Sequence, residues 1–483
     1  MPPESFDINY LDEPQIEFNG DKDSSPKRGL LRFGPRLKGG EHQSISVGVI
    51  GDRDSISNLR SLFSEMELAI VPQGADAEEE SELTPSHIPF PGTGEDSDLN
   101  VSINAHPNWQ RIVSETDLTA ISNQSTVDEK MQEFLDKVND EMYFLKRLDP
   151  QPDIVIVCIP QTVMDECTPD DEDYAEVKSS EEGHDLHNQV KILGMKRDLP
   201  TQLVKPDTLR PSNDQERASR AWNLTVGMLY KAQRGHPWKT KDMDPGTCYA
   251  GIVFYKQKDT EENVVRAALA HVFMRGDHNI IQSESMQNLE EDENGKPHLS
   301  FDEANSIAEQ IIKFYELNHD GAAPNRLVLH KSSEFWEDER DGFKKAAEIA
   351  GVPVKDFVRI RPRTDVRLLP PGEFPILRGT LLSVPRDDTH YLYTTGYVPE
   401  MVTWRGSGIP EPIEIKPDEV CRTPSRELCE EVMFLTKLDW NTSEFSVKEP
   451  VTTGVARKVG DVLSEVDLKT AADDIEVQYF WYM

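Results

Sequence analysis

The sequence predicts an α/β protein made of two successive sheet-and-helix domains, and three stretches carry that prediction. ISVGVIG (45–51) runs almost directly into DSISNLRSLFSEME, whose apolar residues recur at helical spacing. PDIVIVCIP (152–160) is a short apolar run after a charged amphipathic segment, as expected of a strand buried on both faces of a parallel sheet. CYAGIVFYKQ (248–257) and RLVLHKSS (326–333) repeat the pattern, with the amphipathic SFDEANSIAEQIIKFYEL between them.

Taken in order, residues 1–44 read as an irregular arm rich in Pro and Gly (PKRGLLRFGPRLKGG), unable to fold alone. The first domain, 45–246, opens on a strand and then a helix capped by Asp54 or Ser55. Gly48, Gly51 and Asp52 lack the spacing of a dinucleotide fingerprint and read as a plain tight turn. VDEKMQEFLDKVNDEMYFL is a helix leading into PDIVIVCIP. The second domain, 247–483, pairs CYAGIVFYKQ with VVRAALAHVFM. After RLVLHKSS comes the helix DGFKKAAEIAG, stopped by Gly351, and then the strand VPVKDFVRIRPR.

Composition excludes several classes. At 483 residues, with 37% hydrophobic content and seven Trp, the chain is long enough for several cores and too apolar to be disordered. No stretch approaches the ~20 apolar residues that span a bilayer, and no signal peptide opens the chain, so a cytoplasmic protein with no membrane partner is expected. Five Cys (Cys158, Cys167, Cys248, Cys421, Cys429) lack metal-ligand spacing and fit a reducing compartment, with Cys158 and Cys248 in the core. The net charge of −36 is concentrated in loop-like acidic runs around Glu78, Asp171 and Glu291.

Against that background one stretch turns basic. From Lys191 to Lys241 eleven Lys or Arg face four acids, a local balance of +7. His187 and Lys191 lie one helical turn apart, on one face, while Gln202 and Lys231 arrive from later elements. Any one of these lysines alone would read as a solvated side chain. Together their order and spacing suit a pocket for the 5′ end of a nucleic acid. A terminal phosphate needs several convergent donors, since each charge-assisted hydrogen bond contributes only ~1.5–3 kcal/mol.

These residues resemble the MID domain of Argonaute proteins. The likeness rests on His187, Lys191, Thr201-Gln202, Lys231 and the turn Gly235-His236-Pro237-Trp238. In that family such positions bind the 5′-phosphate of a guide strand, and a further basic residue of many eukaryotic members is Gly227 here. In related prokaryotic proteins a divalent ion replaces that charge, held by the Gln and the terminal carboxylate. The resemblance therefore implies Mg2+ at Gln202 and Met483, and the apolar QYFWYM run suits burial of Met483. The arm's GLLRFGP resembles the N-terminal segment of short prokaryotic Argonautes.

The later strands and helices, with LTKLDWNTSEF and ARKVGDVLSEV, resemble the PIWI domain. The implied architecture is a Rossmann-like MID domain followed by an RNase H-like PIWI domain. In cutting members carboxylates at the strand ends hold two metals. Here Val253 follows Gly251-Ile252, Ser332 follows His330-Lys331, and the last ligand position aligns with Asn441. Val and Ser are poor ligands for a hard cation, so the resemblance implies a PIWI domain that binds without cutting. Glu284 and Glu290, in an acidic run, read as solvated, and Glu334 and Glu337 fall past the expected position. Lys331, Arg359, Arg361, Arg363, Arg367 and Arg405 are candidate channel residues for an A-form duplex, with a solvated strand edge as the alternative.

A chain with N-terminal and PAZ domains would be far longer, so the resemblance points to a short prokaryotic Argonaute. That implies a 5′-phosphorylated guide RNA, invading single-stranded DNA as target, and an APAZ-containing effector partner, an NADase or a nuclease. Besides a nucleotide-dependent α/β enzyme, which would need a glycine-rich phosphate loop that the sequence does not offer in proper context, the residues leave two other readings open. One is an active guide-directed nuclease, which Val253 and Ser332 oppose. The other is a guide-independent scaffold, for which Lys191, Gln202 and Lys231 would be dispensable.

Overall fold

The computed structural model describes residues 6–37, 42–72, 88–94, 97–167, 185–210, 214–240, 244, 246–256, 265–274, 277–281, 290–291, 297–372, 374–399, 408–465 and 479–483. The chain opens with β1 (Asp7–Tyr10), β2 (Ile16–Glu17), β3 (Lys22–Asp23) and α1 (Pro26–Phe33). The first lobe follows with β4 (Gln43–Gly51), α2 (Arg53–Met66), β5 (Val101–Asn104), β6 (Gln110–Ile112), α3 (Glu115–Ser122) and α4 (Val127–Lys146). It continues through β7 (Ile154–Cys158), α5 (Gln161–Cys167), α6 (Leu186–Arg197), β8 (Thr201–Val204), α7 (Pro206–Leu209), α8 (Asp214–Gln233) and β9 (Lys239–Thr240). Its parallel sheet runs β5-β4-β7-β8, with β6 also pairing with β4. All five residues of β7 are buried, as its unbroken apolar run requires.

The second lobe begins with β10 (Thr247–Lys256), β11 (Val265–Met274), β12 (Asp277–Ile281), β13 (Glu290–Glu291), β14 (Pro297–His298) and α9 (Phe301–Leu317). Then come β15 (Arg326–Lys331), α10 (Glu337–Ile349), β16 (Val354–Arg361), β17 (Thr380–Val384), β18 (Thr389–Leu392), β19 (Ile413–Pro417), α11 (Ser425–Leu435) and α12 (Val451–Leu463). Its nine-stranded sheet has the order β1-β17-β18-β19-β16-β15-β10-β11-β12, parallel only from β10 through β15 to β16. α9 and α10 cover one face, and α12 crosses the other at β10. There a Cβ on Gly251 would sit 2.1 Å from the carbonyl oxygen of Thr452, so only glycine permits that approach.

The helix boundaries follow capping chemistry. α2 is capped by Asp52, whose carboxylate accepts from Ser55 N at 3.1 Å, so the cap lies before the expected Asp54 or Ser55. α4 and α9 carry capping boxes, Thr126 with Glu129 and Ser300 with Glu303. Gly351 follows α10 with φ of 76°. Cys158 and Cys248 are buried in β7 and β10 with free thiols, and no described helix is long and apolar enough to cross a membrane.

The N-terminal arm departs from its irregular expectation. β1 extends the second lobe's sheet by pairing with β17, β2 pairs with both β3 and β9, and α1 is capped by Ser25. Glu13 lies between Arg378 Nε at 2.8 Å and Lys437 Nζ at 2.5 Å. These partners lie hundreds of residues away, so local periodicity carries no trace of them. One apolar core runs through both lobes, joining Val47, Ile156 and Trp222 to Tyr249, Val328 and Val459.

Candidate functional site

The pocket forms where the first lobe meets the end of the chain. α6 begins at the Asp185 cap, whose carboxylate accepts from His187 N at 2.9 Å, and His187 itself is exposed on the first turn. From the end of α12, Glu465 accepts from Asp185 N at 3.0 Å and from Gln189 Nε2 at 3.1 Å, docking α6 onto the second lobe. One turn past His187, Lys191 is buried and donates to the carbonyl oxygen of Tyr482 at 2.9 Å. Lys231, on α8 and 1% exposed, donates to Thr201 O at 2.9 Å and to Gln202 Oε1 at 2.6 Å. The structure thus brings Lys191, Gln202, Lys231 and the 479–483 segment together.

An ammonium has three donors. Lys191 makes one described hydrogen bond and Lys231 two, leaving two N–H groups on the first and one on the second. Burial, reinforced by Lys458, pushes the Lys191 ammonium down to about 8, against the opposing pull of Asp185 and Asp461. Burial, reinforced by Lys191, puts Lys231 well below the usual lysine range. Two buried like charges side by side are costly, and an anion placed between them would offset that cost.

Several residues shape its walls. Met483 is buried within the apolar 480–483 run, and Arg234 lies over the Phe480 ring at 4.8 Å. The Gly235–Trp238 turn is anchored by Trp238, whose Nε1 donates to Lys437 O at 2.9 Å, and by His236 stacked 4.0 Å from Trp440. Burial, with Arg36 nearby, pushes His236 down to about 4, so the ring is neutral at physiological pH. A Cβ on Gly227 would lie 3.6 Å from Asn441 Oδ1 and 3.9 Å from Gln202 Oε1, beside the lysines.

That contact relocates Asn441. The sequence reading grouped it with Val253 and Ser332, but the fold brings it to Gln202 and Gly227. Asn223 on α8 holds the following turn, accepting from Ser443 N at 3.0 Å and Ser443 Oγ at 2.8 Å. Val253 lies within β10, one residue past Ile252, the last β10 residue paired with β15, and Ser332 follows Lys331 directly after the end of β15. Val253 sits where the β10–β11 register shifts, and packs against the core. Thr452, at the start of α12, stands over this strand end and bonds His330 Nδ1 at 2.8 Å through Oγ1.

The channel assignments need larger corrections. Lys331 is 0% exposed and ion-paired with Glu339, with Phe254 and Phe335 around its ammonium, so it is a core cation facing α10. Arg359 is buried and paired with Glu334 and Glu414, Arg361 lies 3.6 Å from Glu414, and Arg367 pairs with Glu411. Arg363 is exposed. The alternation does place Arg359 and Arg361 on one face, but carboxylates from β19 and the loop after β15 engage them. Arg405 and Glu284 lie outside the described residues, as do the side-chain surroundings of Glu290.

Lys458 escaped the sequence reading. It lies on α12, bonded to Asp439 Oδ2 at 2.8 Å, close enough to Lys191 to depress its pKa. Its only signal was a basic pair, Arg457-Lys458, inside a late apolar helix. For the Mg2+ expectation, the side-chain carbonyl of Gln202 already accepts from the Lys231 ammonium, with Lys191 beside it, and a second amide oxygen, Asn441 Oδ1, lies nearby. Among the described residues no three His, Cys, Asp or Glu side chains converge as metal ligands. The two lysines beside Gln202 Oε1 offer donors to an anion.

Two interlocked lobes, a parallel sheet followed by a mixed nine-stranded sheet with the pocket at their junction, define the MID–PIWI fold of Argonaute proteins. Clostridium butyricum Argonaute bound to a guide DNA and a 19-mer target DNA superposes with a TM-score of 0.66 at 14% identity, over 95% of this chain and 53% of that one. Aa-Ago with externally bound siRNA gives 0.60 at 14% identity, over 98% and 56%. A. aeolicus Argonaute gives 0.55 at 16% identity, over 95% and 54%. The likeness is therefore one of fold, and the chain spans about half the length of these proteins. No protein-family model and no curated protein matches the sequence.

Proposed function

We propose that this protein is the guide-loading, target-sensing subunit of a short Argonaute defence system. A 5′-phosphorylated guide RNA is anchored in the pocket, pairs with invading plasmid or phage single-stranded DNA, and the paired state activates an associated APAZ-effector protein. The observation that carries the reading is the convergence of the Lys191 and Lys231 ammonium groups, with three N–H donors between them left for an anion. At the low end of ~1.5 kcal/mol per charge-assisted bond, three bonds give about a thousandfold preference for a 5′-phosphate over a 5′-hydroxyl. The ligand's charge offsets the cost of two buried cations, while base pairing supplies the sequence specificity.

In this reading the second lobe holds the target without cutting it, because Val253 and Ser332 offer no charged oxygen at the β10 and β15 ends. The test is to purify the chain with the product of its adjoining gene, extract the bound nucleic acid, and determine sugar type, length and 5′-end chemistry. Short RNAs with 5′-phosphates are expected. A preparation without a discrete short population would overturn the guide reading.

A further inference from the structure

The first lobe carries two aromatic rings that belong to none of the described core clusters. Tyr143 and Phe144 lie in the last turn of α4, exposed by 42% and 51%, with ring centroids 6.0 Å apart in an edge arrangement. Guanidinium groups cover parts of both. Arg111 lies over Phe144 at 4.9 Å, while Arg147 and Arg197 lie over Tyr143 at 5.2 and 5.3 Å. Arg111 is paired with Glu141 at 2.6 Å. The two arginines on Tyr143 have no carboxylate partner among the described residues. Arg147 donates to the Tyr143 hydroxyl and Arg197 donates through Nε to Asn139 Oδ1 at 2.9 Å, one bond each. A guanidinium has five N–H donors, so four remain on each without a described acceptor.

Helix capping does not account for these two arginines. Cations near a helix C-terminus usually offset its last carbonyls. Lys146 acts in that way, donating to Asp198 O at 2.9 Å just past α6, but Arg147 and Arg197 donate to no backbone carbonyl. The acids that form ion pairs here are each shared by two cations, Glu141 by Arg111 and Lys137, and Asp198 by Lys146 and Arg234. The exposed Asp140, one turn before Phe144, reduces that local cation excess without cancelling it.

We propose that Tyr143, Phe144, Arg147 and Arg197 form a platform for single-stranded nucleic acid, held without regard to its 5′-end chemistry. An anionic polymer with flat rings uses both halves of this surface. Guanidinium N–H groups take the phosphates, and bases stack on the exposed rings or on the guanidinium planes. An acidic peptide would engage the charges and leave the rings unused. The platform adjoins the anion pocket, since Asp198 joins Lys146 to Arg234, which lies over Phe480 in the pocket wall. It uses neither Lys191 nor Lys231, so it goes beyond the guide reading and is tested separately from it.

The experiment measures, by fluorescence anisotropy at low salt, binding of the full chain to a 5′-hydroxyl oligothymidylate and to an abasic strand of equal length. The oligothymidylate should bind at least about tenfold tighter, from stacking on two rings. Tyr143→Ala with Phe144→Ala should cost it about tenfold or more and the abasic strand less than about twofold, with the melting temperature unchanged. Tyr143→Phe with Phe144→Tyr, which keeps both rings, should stay within about threefold of the wild type. Arg147→Ala with Arg197→Ala should weaken both strands and flatten the salt dependence. Equal binding of the two strands, or an alanine pair that binds oligothymidylate like the wild type, would overturn the proposal. Displacement of the strand by oligoglutamate at equal charge concentration would also overturn it, assigning the surface to an acidic protein. So would phosphatidylserine vesicles that capture the wild type in preference to the strand and fail to capture the alanine pair. Lys191→Ala with Lys231→Ala should leave oligothymidylate binding within about threefold, because the platform's own groups are intact. Absence of a 5′-phosphate preference in the wild type would count against the guide reading and leave the platform result standing.

Discussion

Lys191 donates to the carbonyl oxygen of Tyr482 at 2.9 Å, a bond spanning 291 residues that ties a first-lobe helix to the close of the chain. The pocket is therefore assembled by tertiary folding, and each of its cations sits where burial disfavours its charge until an anion arrives.

Neutralising both cations should separate guide chemistry from general nucleic-acid affinity. Lys191→Ala with Lys231→Ala is expected to weaken binding of 5′-phosphorylated RNA about a hundredfold or more, from the loss of bonds worth ~1.5–3 kcal/mol each. The 5′-hydroxyl RNA should lose less than about threefold, since it makes none of those charge-assisted bonds. Filter binding with matched oligonucleotides measures both, and an equal loss for the two ends would rule out a 5′-phosphate pocket.

The pH dependence should run in opposite directions for ligand binding and for stability. Without ligand, Lys191 holds its proton only below about pH 8. Pairing with a phosphate raises that pKa, so above about 8 binding takes up a proton and affinity falls by up to about tenfold per pH unit. The unliganded fold behaves conversely. The folded pKa lies below the usual 10.5, so the unfolded chain binds more protons and Lys191 contributes rising stability from about pH 8 toward 10.5. Titration calorimetry in buffers of different ionisation heat, with thermal melts over the same range, reads both slopes.

Gly227 leaves room beside Gln202, where a Cβ meets only ordinary contacts at 3.6 and 3.9 Å. Gly227→Lys should bring a third ammonium to the pocket and tighten 5′-phosphate binding by about tenfold, one further charge-assisted bond. Gly227→Ala should leave binding unchanged and raise helix stability by ~1 kcal/mol. Affinity and melting temperature for the two variants distinguish charge from helix propensity.

Glu13 fastens the N-terminal arm to Arg378 and Lys437. Burial alone would raise its pKa, but the two cations outweigh that and hold it below the usual 4.5. Its contribution is therefore present above pH ~4.5 and lost as pH falls through the lowered folded value. Glu13→Gln leaves two buried cations without their carboxylate and should cost about 3–5 kcal/mol. Denaturant unfolding at pH 7 tests this, and a loss below ~1 kcal/mol would contradict the role assigned to the cluster.

What could be read from the chain was whatever repeats locally. β4, β7, β10 and β15 announce themselves as apolar runs, and α4 and α9 by period and capping boxes. The convergence of Lys191, Gln202 and Lys231 was legible because their order resembles that of a known family's pocket. Lys331 was misread because a lysine after an apolar strand looks like a surface cation, and its partner Glu339 lies on the next helix. Asn441 and Lys458 reach the pocket through long-range packing, which spacing along a chain does not encode. The arm's strands are two to four residues long, too short to show a period.

The pairing of β1 with β17 also sets a timetable for the molecule's making. Tyr10 waits for Thr380, 370 residues later. At a synthesis rate of about 5–20 residues per second, the first strand leaves the ribosome roughly 20–75 s before its partner exists. Throughout that interval Phe6, Ile8 and Tyr10 belong to a nascent chain with no sheet to join. The β1–β17 pairing therefore cannot close until β17 has been made.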